Sequence, residues 1–527
     1  MSLQQQFLNT IQEGYSFEKA SIIIGGAMYD GQCQKESFIR IPLKTLNRHG
    51  LICGATGTGK TKTLQLLAEQ LSGYGIPSLL MDIKGDLSGI AMAGETNLKI
   101  DQRHQQIGLP FIVGKSPVEL LTLSTEKGVR LRATLSEFGP VLFSKILGVN
   151  ETQESILSMV FKFSDDNGLP LLDLKDLKKV MQFMTNEGKK EVEAQYGRMS
   201  TSSLGTLMRK IIELEQQGAD VFFGERSFDV EDLCRIDENG HGIVSVLRVT
   251  DIQDRPKLFS TFMLQLLAEI YATFPEEGDL EKPKLIIFID EAHLVFEEAS
   301  KALLNQIETI IKLIRSKGIG IFFITQNPTD VPTDVLSQLG LKVQHALRAF
   351  TAKDRKAIKL VAENYPVTSF YVVDQLITEM GIGEALVTAL NEKGIPTPLV
   401  QVMLRAPQSR MGVLSEQEIN QLVNESSLVN KYNQDVDRES AYEILTEKLA
   451  AFQDTEHQEE MGRQRDSYDR NTKKEKSVLE KVFDSTTTRQ IGRTVARELT
   501  RGLLGVLGVK TSTPRRRKTT NTFKWPF

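Results

Sequence analysis

Cysteine is scarce in this chain. Only Cys33, Cys53 and Cys234 occur among 527 residues, far apart and with no Cys-x-x-Cys pair, which excludes a disulfide framework and a cysteine-built zinc site and fits a reducing compartment. The six histidines are scattered in the same way. No apolar run approaches the roughly 20 residues that cross a bilayer, and the opening MSLQQQFLNTIQEG lacks the basic-then-apolar order of an export signal. A cytoplasmic, soluble chain of two or three domains is expected. No internal repeat is visible. A general excess of positive charge is missing too. The net charge is −4 overall and +9 from Arg489 to Phe527, which leaves −13 on the first 488 residues. Such an acidic body does not advertise a nucleic-acid surface, although a basic pore lining could lie within it.

Against these absences stands one dense motif. Gly54, Ala55, Thr56, Gly57, Thr58, Gly59, Lys60 and Thr61 spell GATGTGKT after the apolar Leu51-Ile-Cys53, matching the phosphate-binding pattern G-x-x-x-x-G-K-[ST] at each fixed position. Its glycines let successive N–H groups converge on a triphosphate, and a following helix adds its positive end. Lys60 is placed to reach the β- and γ-phosphates, and the Thr61 hydroxyl to ligate Mg²⁺. Leu64, Leu67, Ala68 and Leu71 predict a helix with one apolar stripe behind the loop. ATP and Mg²⁺ are the expected ligands.

Strands and helices alternate around this motif. Residues 15 to 50 read as short strands and turns, and 77–82, 243–249, 284–289 and 319–325 as buried strands. Pro256 opens a helix striped by Leu258, Phe259, Phe262, Leu266 and Ile270. Residues 303–314 predict another, with Leu303, Leu304, Ile307, Ile310, Ile311 and Ile314 on its inner face. From about 151 to 237 the pattern turns to charged helical periodicity, as in DLKDLKKVMQFM and TLMRKIIELEQQG, and reads as an all-α insert. The fold class is α/β with a parallel sheet covered on both faces. Asp82, Asp290 and Thr325 all fall at strand carboxyl ends, where ligands of such sheets bind.

Asp290 follows a run of apolar residues and is suited to hold Mg²⁺, directly or through water. Its neighbour Glu291 is suited to orient and deprotonate an attacking water; the same pair could instead cap a helix. Some 230 residues separate Lys60 from Asp290, so at least one strand is expected to intervene in the sheet. Gln326 and Thr325, at the next strand tip, are candidates to sense the γ-phosphate.

Taken in order, GATGTGKT, Asp82-Ile-Lys-Gly-Asp86, Val129-Arg-Leu-Arg-Ala-Thr-Leu-Ser-Glu-Phe-Gly-Pro140, FIDEAH and ITQNP resemble the HerA–FtsK superfamily of ring-forming ATPases, closest to its bacterial HerA-like members. The resemblance covers about residues 15 to 415. It implies a RecA-like core, ATP hydrolysis at subunit interfaces of a homo-oligomeric ring (a hexamer by family likeness), translocation on double-stranded DNA, and a nuclease or other protein as partner. It assigns Lys60 and Thr61 to phosphates and Mg²⁺, Asp290 to Mg²⁺, Glu291 to the water and Gln326 to sensing. An arginine from the neighbouring subunit completes such sites, and Arg348 is the candidate, with Arg315 and Arg355 as rivals. The implied layout is a short β-rich segment (1–48), an ATPase core in two parts (49–150 and 238–415), the helical insert (151–237), a polar helical or linker region (416–484) and a basic tail (485–527).

Two departures from the family stand out. Only 53 residues precede Gly54, so the sizeable β-barrel of HerA proteins is expected to be truncated or absent. The strand tip also reads Thr-Gln-Asn-Pro where an arginine often follows the glutamine. The DEAH-like string does not make a two-lobed helicase, since no arginine-rich second lobe follows residue 350, and Leu87-Ser-Gly89 is no ABC signature. The alternative to a DNA motor is an ATP-driven switch acting on protein or membrane partners. In the tail, Arg489, Arg493, Arg497 and Arg501 fall on the helix face opposite Ile491, Val495, Leu499 and Leu503. That pattern fits either a docked helix or an anchor for anionic surfaces.

Overall fold

The computed structural model describes residues 2–250, 255–278, 280–296, 301–434, 436 and 439–450. The expected polar helical or linker region (416–484) lies outside the described residues from 451 on, as does the basic tail from 485. Twelve strands among the described residues join one sheet: β1 (Ser21–Tyr29), β2 (Gln32–Pro42), β3 (Gly50–Cys53), β4 (Ser78–Asp82), β5 (Val118–Thr122), β6 (Val129–Arg130), β7 (Val244–Arg248), β8 (Leu285–Ile289), β9 (Ile319–Thr325), β10 (Leu341–Gln344), β11 (Glu384–Thr388) and β12 (Val400–Leu404). Their spatial order is β2-β1-β12-β11-β10-β3-β9-β8-β4-β7-β5-β6. From β10 to β6 every neighbour is parallel. The other four strands extend the β10 edge antiparallel.

Strand parity builds two cores. In β8, Leu285, Ile287 and Ile289 face one side with Ile319, Ile321 and Phe323 of β9. Ile286 and Phe288 face the other with Phe322 and Ile324. Strands buried on both faces need continuous apolar runs rather than alternation, which is why these segments read as unbroken strings. The first core also contains Phe259, Phe262 and Ile270 of the helix Pro256–Thr273 and Ile307, Ile310, Ile311 and Ile314 of Lys301–Ile314.

The chain between 151 and 237 is helical, with Glu151–Asn167, Leu174–Thr185, Lys189–Tyr196 and Thr201–Leu214 as its α-helices. Asp173 and Asp176 form a reciprocal capping box at the start of the second. Leu157, Val160, Leu177 and Ile211 belong to the same core as the sheet residues Leu285 and Ile287, so the helices grow on one face of the sheet. Described residues between 416 and 450 pack onto this core as well. Tyr432 is fully buried against Phe228, and Ile444 and Leu445 join the same core.

The helix Lys60–Gly73 corrects the single-stripe reading. Leu64, Leu67, Ala68 and Leu71 are buried as expected, but so are Gln65, Glu69 and Ser72 on the far side. The segment after β12 returns across that side. Glu69 accepts hydrogen bonds from Gln408 N, Ser409 N and Ser409 Oγ at 2.7, 3.1 and 2.9 Å, and Gln65 donates to Ser409 Oγ at 2.8 Å. A buried polar group must find partners, so these residues pin chain that is distant in sequence. Among the described residues no sizeable barrel precedes the loop. Residues 21–42 instead supply the β1–β2 hairpin on the sheet edge.

Candidate active site

The register of the parallel strands assembles the site. Met81 is level with Ile289, and Ile289 with Phe323; Cys53 is level with Thr325. Asp82, Asp290 and Gly54 therefore emerge at one edge of the sheet. The loop strand β3 and the acidic strand β8 are not adjacent: β9 lies between them, so a crevice opens above Thr325.

The first half of the loop is fixed by its backbone. Gly54 N–H donates to Thr325 O at 3.3 Å and Ala55 N–H to Ala346 O at 2.8 Å. Gly383 N–H then donates to Thr58 O at 3.0 Å, while Arg103 holds Gly383 O and Ile382 O at 3.0 and 2.9 Å. Thr56 and Gly57 are left exposed at the crest. Gly57 has φ of +79° with open space around it, so glycine is required there for conformation rather than room. Gly59 caps the helix at φ +115°, with no side-chain cap and no acid in the first turn. The uncapped N–H groups form a positive, anion-accepting end.

Lys60 is buried and lies back on its own loop, donating to Gly54 O at 2.7 Å and Ala55 O at 3.3 Å. Burial and the nearby Lys84 ammonium lower its pKa. Thr61 is half-buried in the same helical turn. Below the loop, the buried His345 ring bonds Thr63 Oγ1 at 2.9 Å, and Thr63 also donates to Gly59 O at 3.1 Å. Burial and Lys60 bring His345 down to about 4, so the ring is neutral under the phosphate cradle.

Across the crevice, Asp290 is buried and its Oδ2 has no hydrogen-bond partner, while Oδ1 accepts from Glu291 N–H at 2.9 Å. Burial and the Glu291 carboxylate raise Asp290 to about 6, and burial raises Asp82 to about 7. Asp82 accepts from Asp86 N at 3.0 Å and Leu87 N at 3.2 Å, shaping the loop after β4. Glu291 is buried at φ +45°, a backbone conformation costly for a non-glycine residue. It is in a close ion pair with Lys84 and lies 3.4 Å from His293 Nδ1. An orphaned buried carboxylate oxygen is what a hard divalent cation satisfies, and an uncapped glycine-rich helix start is what a polyphosphate satisfies. The residues present fit Mg²⁺ and a nucleoside triphosphate.

Loop, Lys60, Thr61, Asp290 and Glu291 are thus brought to one crevice. Gln326 is exposed just past β9, its carbonyl accepting from Cys53 Sγ at 3.3 Å. Arg348 is exposed and turned to Thr378 O at 3.4 Å; Arg315 and Arg355 are exposed as well. Lys84, His345, Gly383 and Arg103 were not singled out from the sequence. A lysine between two aspartates at a strand tip was a readable signal for the first; nothing local marks the others.

A family model described as "Helicase HerA-like C-terminal" matches residues 28–512. The DNA double-strand break repair helicase HerA of Sulfurisphaera tokodaii is 22% identical over 62% of this chain and 60% of its own length. The probable helicase MJ1565 of Methanocaldococcus jannaschii is 23% identical over 65% of this chain and 60% of its own. The chain therefore spans about 60% of the length of these relatives. Among solved structures, the plasmid coupling protein TrwB in complex with ADP and Mg²⁺ is 15% identical with a TM-score of 0.48, over 76% of this chain and 99% of that one. VirB4 of Thermoanaerobacter pseudethanolicus is 15% identical with a TM-score of 0.47, over 75% and 98%.

Proposed function

This chain belongs to the HerA-like C-terminal helicase family, and from that premise we propose that it hydrolyses ATP with Mg²⁺ as a homo-oligomeric motor on double-stranded DNA. The observation that carries the hydrolytic part is the buried Asp290–Glu291 pair, one strand removed from the phosphate loop, with Asp290 Oδ2 unpartnered. A chain that only bound nucleotide would have little use for that buried second acid.

In this reading the free loop N–H groups and Lys60 bind the β- and γ-phosphates, and Lys60 exchanges its bonds to Gly54 O and Ala55 O for phosphate oxygens. Thr61 Oγ1 and Asp290 would hold Mg²⁺, which when bound would neutralise phosphate charge. Glu291 accepts the proton of the attacking water. Gln326, at the tip of the strand between loop and acids, orients the γ-phosphate or the water. Arg348 serves the site of the next subunit. It lines a cleft of about 460 Å³ with Phe350, Arg355, Lys359 and Asp374. Phe350 is 87% exposed there, as suits a face that another subunit covers. Among the described residues no helix is long and apolar enough to cross a membrane.

The test is ATP turnover with and without duplex DNA across a salt series. Duplex DNA is expected to raise turnover, with the rise fading as salt increases. A rate indifferent to every DNA at every salt would remove the motor and leave an ATPase coupled to another partner. Lys60→Ala should abolish nucleotide binding, whereas Glu291→Gln should keep binding and lose turnover; wild-type turnover in both would refute the site.

A further inference from the structure

Lys84 has no part in the scheme above, yet it is the group nearest to the proposed base. It leaves β4 at Ile83, which is buried, and passes into Gly85 at φ +75°. The Asp82 carboxylate holds the following turn through Asp86 N and Leu87 N. The anchored turn fixes the lysine backbone. Its side chain is 39% exposed, while that of its partner Glu291 is 7% exposed. The member of the pair with open space to move into is therefore the lysine.

Such a pair cannot be neutral toward catalysis. While Lys84 is bound to it, the Glu291 carboxylate is occupied by the ammonium and is not free to receive an attacking water. Asp290 and Glu291 stand against Lys60 and Lys84 in this crevice, and Lys84 is the strongest like charge acting on Lys60. A γ-phosphate reached by Lys60 lies in the field of Lys84 as well, and it carries more negative charge than one carboxylate. ADP brings no such group.

Building on the ATPase reading, we propose that Lys84 is a γ-phosphate sensor: it holds Glu291 in an ion pair when nucleotide is absent or is ADP, and moves to the γ-phosphate of bound ATP, releasing Glu291 to act on water. No bond is made or broken in this step. One ion pair is exchanged for another.

Calorimetric titration of the full chain with Mg²⁺ and either ADP or the slowly hydrolysed ATPγS reads this exchange without turnover. Lys84→Met should weaken ATPγS about tenfold, about 1.4 kcal/mol, and leave ADP unchanged, with Lys84→Arg restoring most of the difference. Glu291→Gln should tighten ATPγS in the wild-type background, because Lys84 no longer has to be withdrawn, and do nothing in the Lys84→Met background. Equal losses for ADP and ATPγS in Lys84→Met would overturn the sensor, and so would a Glu291→Gln effect of the same size in both backgrounds. The Glu291→Gln comparison of the two nucleotides stands even if the methionine variant does not fold: equal changes for both ligands also defeat the proposal. A wild-type chain that binds neither nucleotide would take the ATPase reading down first. A chain that binds both, with Lys84→Met indifferent, removes only the sensor.

Discussion

His49 should make the stability of this chain fall as the solution is acidified. It sits at φ +58° just ahead of β3, fully enclosed, with Nδ1 accepting from Ile321 N at 3.0 Å and Nε2 bonded to Ile311 O at 2.9 Å. The ring thereby ties the loop strand to β9 and to the helix Lys301–Ile314. Both ring nitrogens are spoken for in the neutral form, and a proton on Nδ1 would break the bond from Ile321. Burial brings the ring from 6.5 down to about 4. Below pH 6.5 the unfolded chain takes up a proton that the folded ring refuses until about pH 4. The His49 contribution is thus present above pH 6.5 and drains between 6.5 and 4. A shift of this size corresponds to about 3 kcal/mol, lost at up to about 1.4 kcal/mol per pH unit. Asp82 and Asp290, raised by burial, act in the opposite sense, so the whole-protein curve will not isolate the ring. The difference between wild type and His49→Gln does, because glutamine can accept and donate but does not titrate. Denaturant unfolding followed by helical circular dichroism at several pH values should show the wild-type advantage shrinking by about 3 kcal/mol from pH 7.5 to 4. Parallel curves over that range would refute the argument.

Three further outcomes are expected. Arg348→Ala should cut turnover by about 10³-fold or more while nucleotide still binds; mixing it with Glu291→Gln should restore some turnover, and none in mixed assemblies shown to form would rule out action between subunits and turn attention to Arg315. Glu69→Ala leaves Gln408 N, Ser409 N and Ser409 Oγ without their acceptor and should lower unfolding free energy by about 3 kcal/mol, whereas a loss under about 1 kcal/mol would show that water replaces the carboxylate. Deleting residues 485–527 should spare basal turnover and weaken salt-sensitive binding to duplex DNA or anionic vesicles; unchanged binding to both would leave the tail as a docked helix.

What could be read from the chain was what neighbouring residues decide among themselves. GATGTGKT carries its own turn chemistry, and Leu285 to Ile289 announce a doubly buried strand by being apolar without interruption. The positions of Asp82, Asp290 and Thr325 at strand ends followed from the α/β pattern alone. Features that depend on chain meeting chain from afar did not follow. Gln65 and Glu69 looked like the wet side of a helix because nothing local says that residues 405–412 will cross it. The pairing of β1 with β12 joins segments from opposite ends of the sheet-forming chain, and no periodicity encodes such a partner. The Lys84–Glu291 pair belongs to the same class: each residue was visible, and only the adjacency of β4 and β8 makes them one unit.

The stitching of the phosphate loop has a thermodynamic consequence. With Gly54 N–H tied to Thr325 O, Ala55 N–H to Ala346 O and Thr58 O to Gly383 N–H, the receptor is already ordered before a ligand arrives. Fixing the backbone of a slack residue costs about 1–2 kcal/mol, and folding has met that cost here in advance. Nucleotide capture should then resemble the filling of a rigid mould: an association rate set by diffusion and charge, little conformational entropy lost by the loop, and amides of Gly54 and Ala55 that exchange with solvent no faster in the free protein than in the complex.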